Sequence, residues 1–142
     1  MIEEVKIKIK KFKKVSIKNN KSKKLKMSEM VLQFAGAYID MGDTTEERQN
    51  FLNSACSAWN ISLLPSTKRP KAIKKYIKAY KRYNPHVDNQ DCKDMQENLE
   101  KLISEKERLF PHEIKRIIGA SIKVIDGKEH YNVVFTKEKK SF

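Results

Sequence analysis

Glycine is scarce in this chain, with four residues in 142, and none of them is set in a GxGxxG, GxSxG or P-loop pattern. Phosphate-cradling loops and nucleophile elbows built on those glycines are therefore excluded. Cysteine is scarcer. Cys56 and Cys92 are the only two and form no CxxC pair, so the simplest account is a pair of ordinary thiols in a reducing compartment. His86, His112 and His130 are scattered, with no HxH or HExxH spacing and no His/Cys cluster. No apolar run approaches the ~18 residues of a membrane span. The first residues also lack the apolar core of a secretory signal. These absences set the expectation of a cytoplasmic protein with no metal, no cofactor and no membrane partner.

Acids are the other deficit: 18 Asp and Glu face 31 Lys and Arg, a formal charge of +13. The excess is uneven along the chain. Residues 1–26 carry +9 and residues 68–84 carry +8 with no acid at all, whereas 27–67 and 85–114 each carry −4. A basic balance favours polyanionic partners. Abundant Lys, Ile and Asn is also what an AT-rich genome writes by default, so net charge alone carries little weight and its placement must decide.

The residues that are present divide the chain into a Lys-rich N-terminal segment, 1–26, and one globular domain, 27–142. In the first, Val5, Ile7 and Ile9 alternate with Lys6, Lys8 and Lys10, the pattern of a half-buried strand. The same segment reads equally as a disordered basic tail. Ser28 is the expected N-cap of a helix running to Gly42, with Val31, Phe34, Ala35 and Tyr38 on one face. Thr44 and Glu47 form a capping box for a second helix, which carries Leu52, Ala55, Cys56 and Trp59 and stops before Pro65. Trp59, the only Trp, sits among apolar neighbours and is assigned to the core.

Pro70 opens a third helix. Asp88 or Asn89 caps a fourth, which runs to about Phe110 with Cys92, Met95, Leu99, Leu102 and Leu109 as a heptad-like stripe that Lys106 interrupts. "HEIKRIIG" reads as one or two more helical turns closed by Gly119. Asp126-Gly127, flanked by β-rich runs, marks a hairpin pairing Ile125 with Lys128 and Ile122 with Tyr131. An isolated hairpin is marginal in water, so it must pack on the helices or gain a strand, for which residues 5–9 are available. The expected fold class is α+β: a compact bundle of about four helices with a C-terminal β-hairpin, and an N-terminal strand available to join it.

The third helix carries the chemistry. On a helical wheel Lys71, Lys74, Lys75, Lys78 and Arg82 fall within about 60° of one another's centre, with Ile73, Tyr76, Ile77, Tyr80 and Tyr83 opposite. The tyrosines therefore read as core, not as a base-stacking platform mixed with the lysines. A one-signed face without acids at i±4 repels itself unless an anion covers it. That anion is either a phosphate backbone or the acids of residues 88–107. The leading function is a small basic nucleic-acid-binding protein gripping RNA or DNA phosphates through those five residues. The alternative is a helical protein-interaction or regulatory module that binds a partner or itself. A small nuclease or toxin-like enzyme is a third reading, for which the histidines supply no convergent acid–base group.

Overall fold

In the computed structural model the described residues are 26–136. The strand or tail expected over residues 1–26 thus lies, apart from Lys26, outside the described residues, as does the charged end from 137. Among the described residues the order is α1 (Met27–Ile39), α2 (Thr45–Ser62), a short 3-10 turn (Ser66–Lys68), α3 (Arg69–Tyr83), α4 (Asn89–Leu109), β1 (Ile117–Ile125) and β2 (Lys128–Phe135). This is the expected α+β arrangement of four helices and an antiparallel hairpin.

Capping chemistry sets most boundaries. Thr44 accepts from the Glu47 N–H at 3.1 Å, and Asp88 accepts from the Asp91 N–H at 2.8 Å, so α2 and α4 start where their caps allow. For α1 the cap is Lys26, not Ser28. Glu29 reaches back to accept the Lys26 N–H at 2.9 Å, and Ser28 falls inside the first turn. The helix also stops at Ile39 rather than Gly42, because Met41 and Gly42 turn back onto the Tyr38 and Ile39 carbonyls. Gly42 is required there: a Cβ would lie 2.7 Å from the Arg48 backbone nitrogen, so a side chain would push α2 away.

α2 is the central element. Leu52, Ala55, Cys56, Ala58, Trp59 and Ile61 are all buried, and the helix touches α1, α3, α4 and β1. Trp59 is wholly enclosed as expected, edge-on to Phe34 at 5.5 Å, with its indole N–H donating to the Lys115 carbonyl at 2.9 Å.

The hairpin has the expected register, with Ile125 opposite Lys128 and Ile122 opposite Tyr131. Asp126 (φ 53°) and Gly127 (φ 75°) give the left-handed pair that a two-residue turn needs. The preceding stretch departs from expectation. Residues 114–119 form no helical turn; 114–116 have no regular structure and β1 already begins at Ile117. Three isoleucines in five residues disfavour helix, and the backbone here is taken by side chains of α2. A bulge between Ile117 and Gly119 leaves Ile118 unpaired and 62 % exposed. It also lets Ile117 and Ala120, an odd number of residues apart, both face the core.

The free edge of β1 is closed by helix side chains. Asn60 donates to the Ile117 carbonyl at 2.7 Å and accepts its N–H at 2.8 Å. Three turns earlier along α2, Gln49 donates to the Ala120 carbonyl at 3.1 Å and accepts the Ile122 N–H at 2.9 Å. Two amides thus take the place of a neighbouring strand. Near the turn, Arg48 donates to Glu129 through Nε at 2.8 Å and Thr45 adds a hydroxyl at 2.6 Å.

Replacing Asn60 with Ala strands two backbone groups of a residue that is 4 % exposed, and should cost about 2 kcal/mol or more by urea denaturation. Hydrogen bonding by the Arg48 guanidinium, with help from Thr45, holds the Glu129 carboxyl below the usual carboxylate range. The sign follows: this contribution is present above the ordinary Glu pKa and is lost as pH falls through the lowered one. Acid unfolding of Glu129→Gln should therefore be less pH-dependent in that window than that of the unaltered protein, as read by circular dichroism.

Candidate nucleic-acid interface

α3 lies on the outside of the bundle, and its orientation is fixed at both ends and along one face. At the start Arg69 donates to the Leu64 and Ser62 carbonyls at 3.0 and 2.7 Å, capping the end of α2, and pairs with Glu107 of α4 at 2.7 Å. Arg69 therefore belongs to the scaffold, although it is contiguous in sequence with the basic run. Midway, Ile73 is buried, Ile77 packs against the core, and the Tyr76 hydroxyl meets Ser54 at 2.9 Å. At the end Asn84 donates to the Tyr80 carbonyl at 2.9 Å. Burial raises the Tyr76 and Tyr80 phenols above their ordinary range, so both stay neutral at physiological pH.

This anchoring turns Lys71, Lys74, Lys75, Lys78 and Arg82 outward, all exposed, as the wheel implies. They span twelve residues, about 16 Å of helix. Among the described residues none of the five forms an ion pair. Lys81, beside them, donates to Asn89 at 3.3 Å.

The acids of α4 have other partners. Asp88 and Asp91 cap the helix, each accepting the other's backbone N–H. Glu100 accepts from Gln96 at 3.2 Å, Glu105 binds Arg108 through two 2.9 Å bonds, and Glu107 takes Arg69. Between α3 and α4 runs an open groove of about 610 Å³ floored by Ile73 and Ile103, with Lys71 and Lys74 on one wall and Glu100 and Glu107 on the other. Of the five, Lys75, Lys78 and Arg82 do not line the groove.

The wheel misplaces one aromatic. Tyr76 and Tyr80 are half-buried as expected, but Tyr83 is 79 % exposed. It occupies the last helical position, where no neighbouring element extends to cover it.

Lys106 was expected to interrupt the apolar stripe of α4. Instead it is buried within that stripe, 3 % exposed, alongside Met95, Leu99 and Leu102. Its stem runs through the core, its ammonium lies 5.1 Å from the centre of the Trp59 ring, and it donates to the Glu113 carbonyl at 2.7 Å. Burial lowers its pKa, partly offset by Glu113 and Glu107. It ties the 110–116 connection to α4.

His86, His112 and His130 are exposed on separate segments, and no group of three metal-ligating side chains exists among the described residues. Burial pushes the Cys56 thiol up to about 12, away from nucleophilic use, and Cys92 is half-buried. No helix among the described residues is long and apolar enough to cross a membrane. No family model, curated protein or solved structure matches the chain.

The division between scaffold and ridge is measurable. Arg69→Ala should cost about 2 kcal/mol, since it frees two helix-end carbonyls and Glu107. Single Lys→Gln changes at 71, 74, 75 or 78 should each stay within about 0.5 kcal/mol of the unaltered protein in thermal or urea unfolding.

Proposed function

We propose that the protein binds nucleic acid by its phosphate backbone, with Lys71, Lys74, Lys75, Lys78 and Arg82 as the contacting cations. The observation that carries this reading is the state of the ridge: five exposed cations of one sign, free of ion pairs among the described residues, on a helix whose other side is held by the core. Like charges on one helix face repel, and the cost falls when phosphates replace the counterions gathered there. The eleven lysines of residues 1–26 add sequence-independent attraction. Contacts of this kind position a polyanion without reading its bases.

A second reading, a module that binds a protein or itself, has one observation in its favour. The hairpin exposes Ile118, Val124, Ile125 and Val134, each at least 46 % open to solvent. The two readings make opposite demands on the ridge.

The test is a salt titration of binding to RNA and DNA by the full-length chain. The comparison variant carries Gln in place of Lys71, Lys74, Lys75, Lys78 and Arg82. The slope of log affinity against log salt should flatten by roughly three to five, since each lost phosphate contact removes about 0.7 to 0.9. An unchanged slope and affinity would overturn the proposal. Association that survives the five changes but is lost in Ile118→Asp would favour the protein-binding reading instead.

A further inference from the structure

We infer that the polyanion held by the ridge is single-stranded, and that Tyr83 supplies the platform on which one of its bases stacks. The inference rests on the phosphate-binding reading above and adds to it the class of partner. Tyr83 is the most exposed of the large apolar and aromatic side chains among the described residues, at 79 %. It has no ring contact and no hydrogen bond there. The fold gives no reason for an aromatic at this position. Tyr76 and Tyr80 pack against the core, whereas Tyr83 leaves a ring in water at the tip of the helix, next to exposed Arg82, Pro85 and His86.

Its direction relative to the ridge selects the partner. On the α3 wheel Tyr83 lies about 100° around the helix from Arg82. Ala72 and Ala79 occupy the strip between Tyr83 and the lysine side, so no bulky side chain separates the ring from the cations. A strand whose phosphates rest on Lys75, Lys78 and Arg82 can turn an unpaired base off its backbone and over this flank. A duplex seated on the same cations keeps its bases stacked and paired inside, beyond reach of a ring that points sideways. Cations along a backbone track with an aromatic at its side are what sequence-tolerant single-strand binding requires. The ring face accepts any base. The arrangement therefore predicts strand-state selectivity without strong sequence preference.

The test uses the full-length chain with three probes at one fixed salt concentration: an oligothymidylate, an oligouridylate and a mixed-sequence duplex of the same length. Tyr83→Ala should weaken binding to both single strands at least about fivefold and leave the duplex unchanged. Tyr83→Phe, which keeps the ring, should bind like the unaltered protein. An exposed helix-end position should leave the thermal midpoint of both variants in place, so a loss of binding cannot be a loss of fold. Equal affinity of Tyr83→Ala and the unaltered protein for single strands would overturn the inference while leaving the ridge in place. So would an equal loss on single strand and duplex. Absence of salt-dependent binding to any probe by the unaltered protein would remove the phosphate-binding reading itself, and this inference with it.

Discussion

A two-stranded sheet has no interior strand, so each of its strands is an edge, and the edge of β1 that faces the bundle must find partners for its backbone. The four hydrogen bonds from Asn60 and Gln49 supply them. Much of the architecture depends on this substitution of side-chain amides for a neighbouring strand. It requires α2 to lie along β1, which brings Trp59 under the 110–116 connection and its indole N–H onto Lys115. It also brings the first turn of α2 to the hairpin tip, where Thr45 and Arg48 meet Glu129. With α2 fixed in this way, α1, α3 and α4 pack around it, and the direction in which α3 presents its cations is a consequence.

Electrostatic partition follows from the same packing. The chain has enough acids near α3 in sequence to neutralise it, but helix geometry allots them elsewhere. Asp88 and Asp91 are taken by the N-terminal N–H groups of α4, and Glu105 by its i+3 arginine. Arg69 takes Glu107 and in doing so closes the end of α2, and Lys81 reaches Asn89 at the start of α4. Lys71, Lys74, Lys75, Lys78 and Arg82 are left facing solvent. Salt screens exposed like charges, so such a face costs the fold little.

Local signals in the sequence are those that a single element satisfies by itself. The Thr44 and Asp88 caps, the Asp126-Gly127 turn and the hairpin register can all be read because each depends on residues a few positions apart. The segment 114–119 could not be placed from its own residues, since its backbone is held by Asn60 and Trp59, more than fifty positions earlier. Neither could the bulge at Ile118, which exists so that Ile117 and Ala120 can share a face. The N-cap of α1 differs for a smaller reason: Glu29 can serve the backbone N–H of Lys26, and a serine one residue into the helix then has no capping work. The wheel placed the ridge correctly because periodicity fixes direction about an axis. It failed for Tyr83 because periodicity says nothing about whether a neighbour extends far enough along that axis to cover it.

Lys106 and the lysines of α3 show how far the same side chain is governed by its surroundings. Lys106 occupies an apolar stripe, yet its long stem is buried while one carbonyl and one indole face receive its charge. A Leu at that position would leave the Glu113 carbonyl without that donor and the connection to β1 with one tie fewer. On α3, Lys71, Lys74, Lys75 and Lys78 have neither a carbonyl nor a ring as partner among the described residues, and all four are exposed. Desolvation lowers the pKa of Lys106. Counting lysines therefore says little about affinity for polyanions; what matters is how many are left unclaimed by the fold and whether they fall on one face. Here five do. Glu100 and Glu107 share the groove between α3 and α4 with only Lys71 and Lys74 of the five. Lys75, Lys78 and Arg82 lie outside that groove, with Tyr83 exposed beside them at the end of the helix.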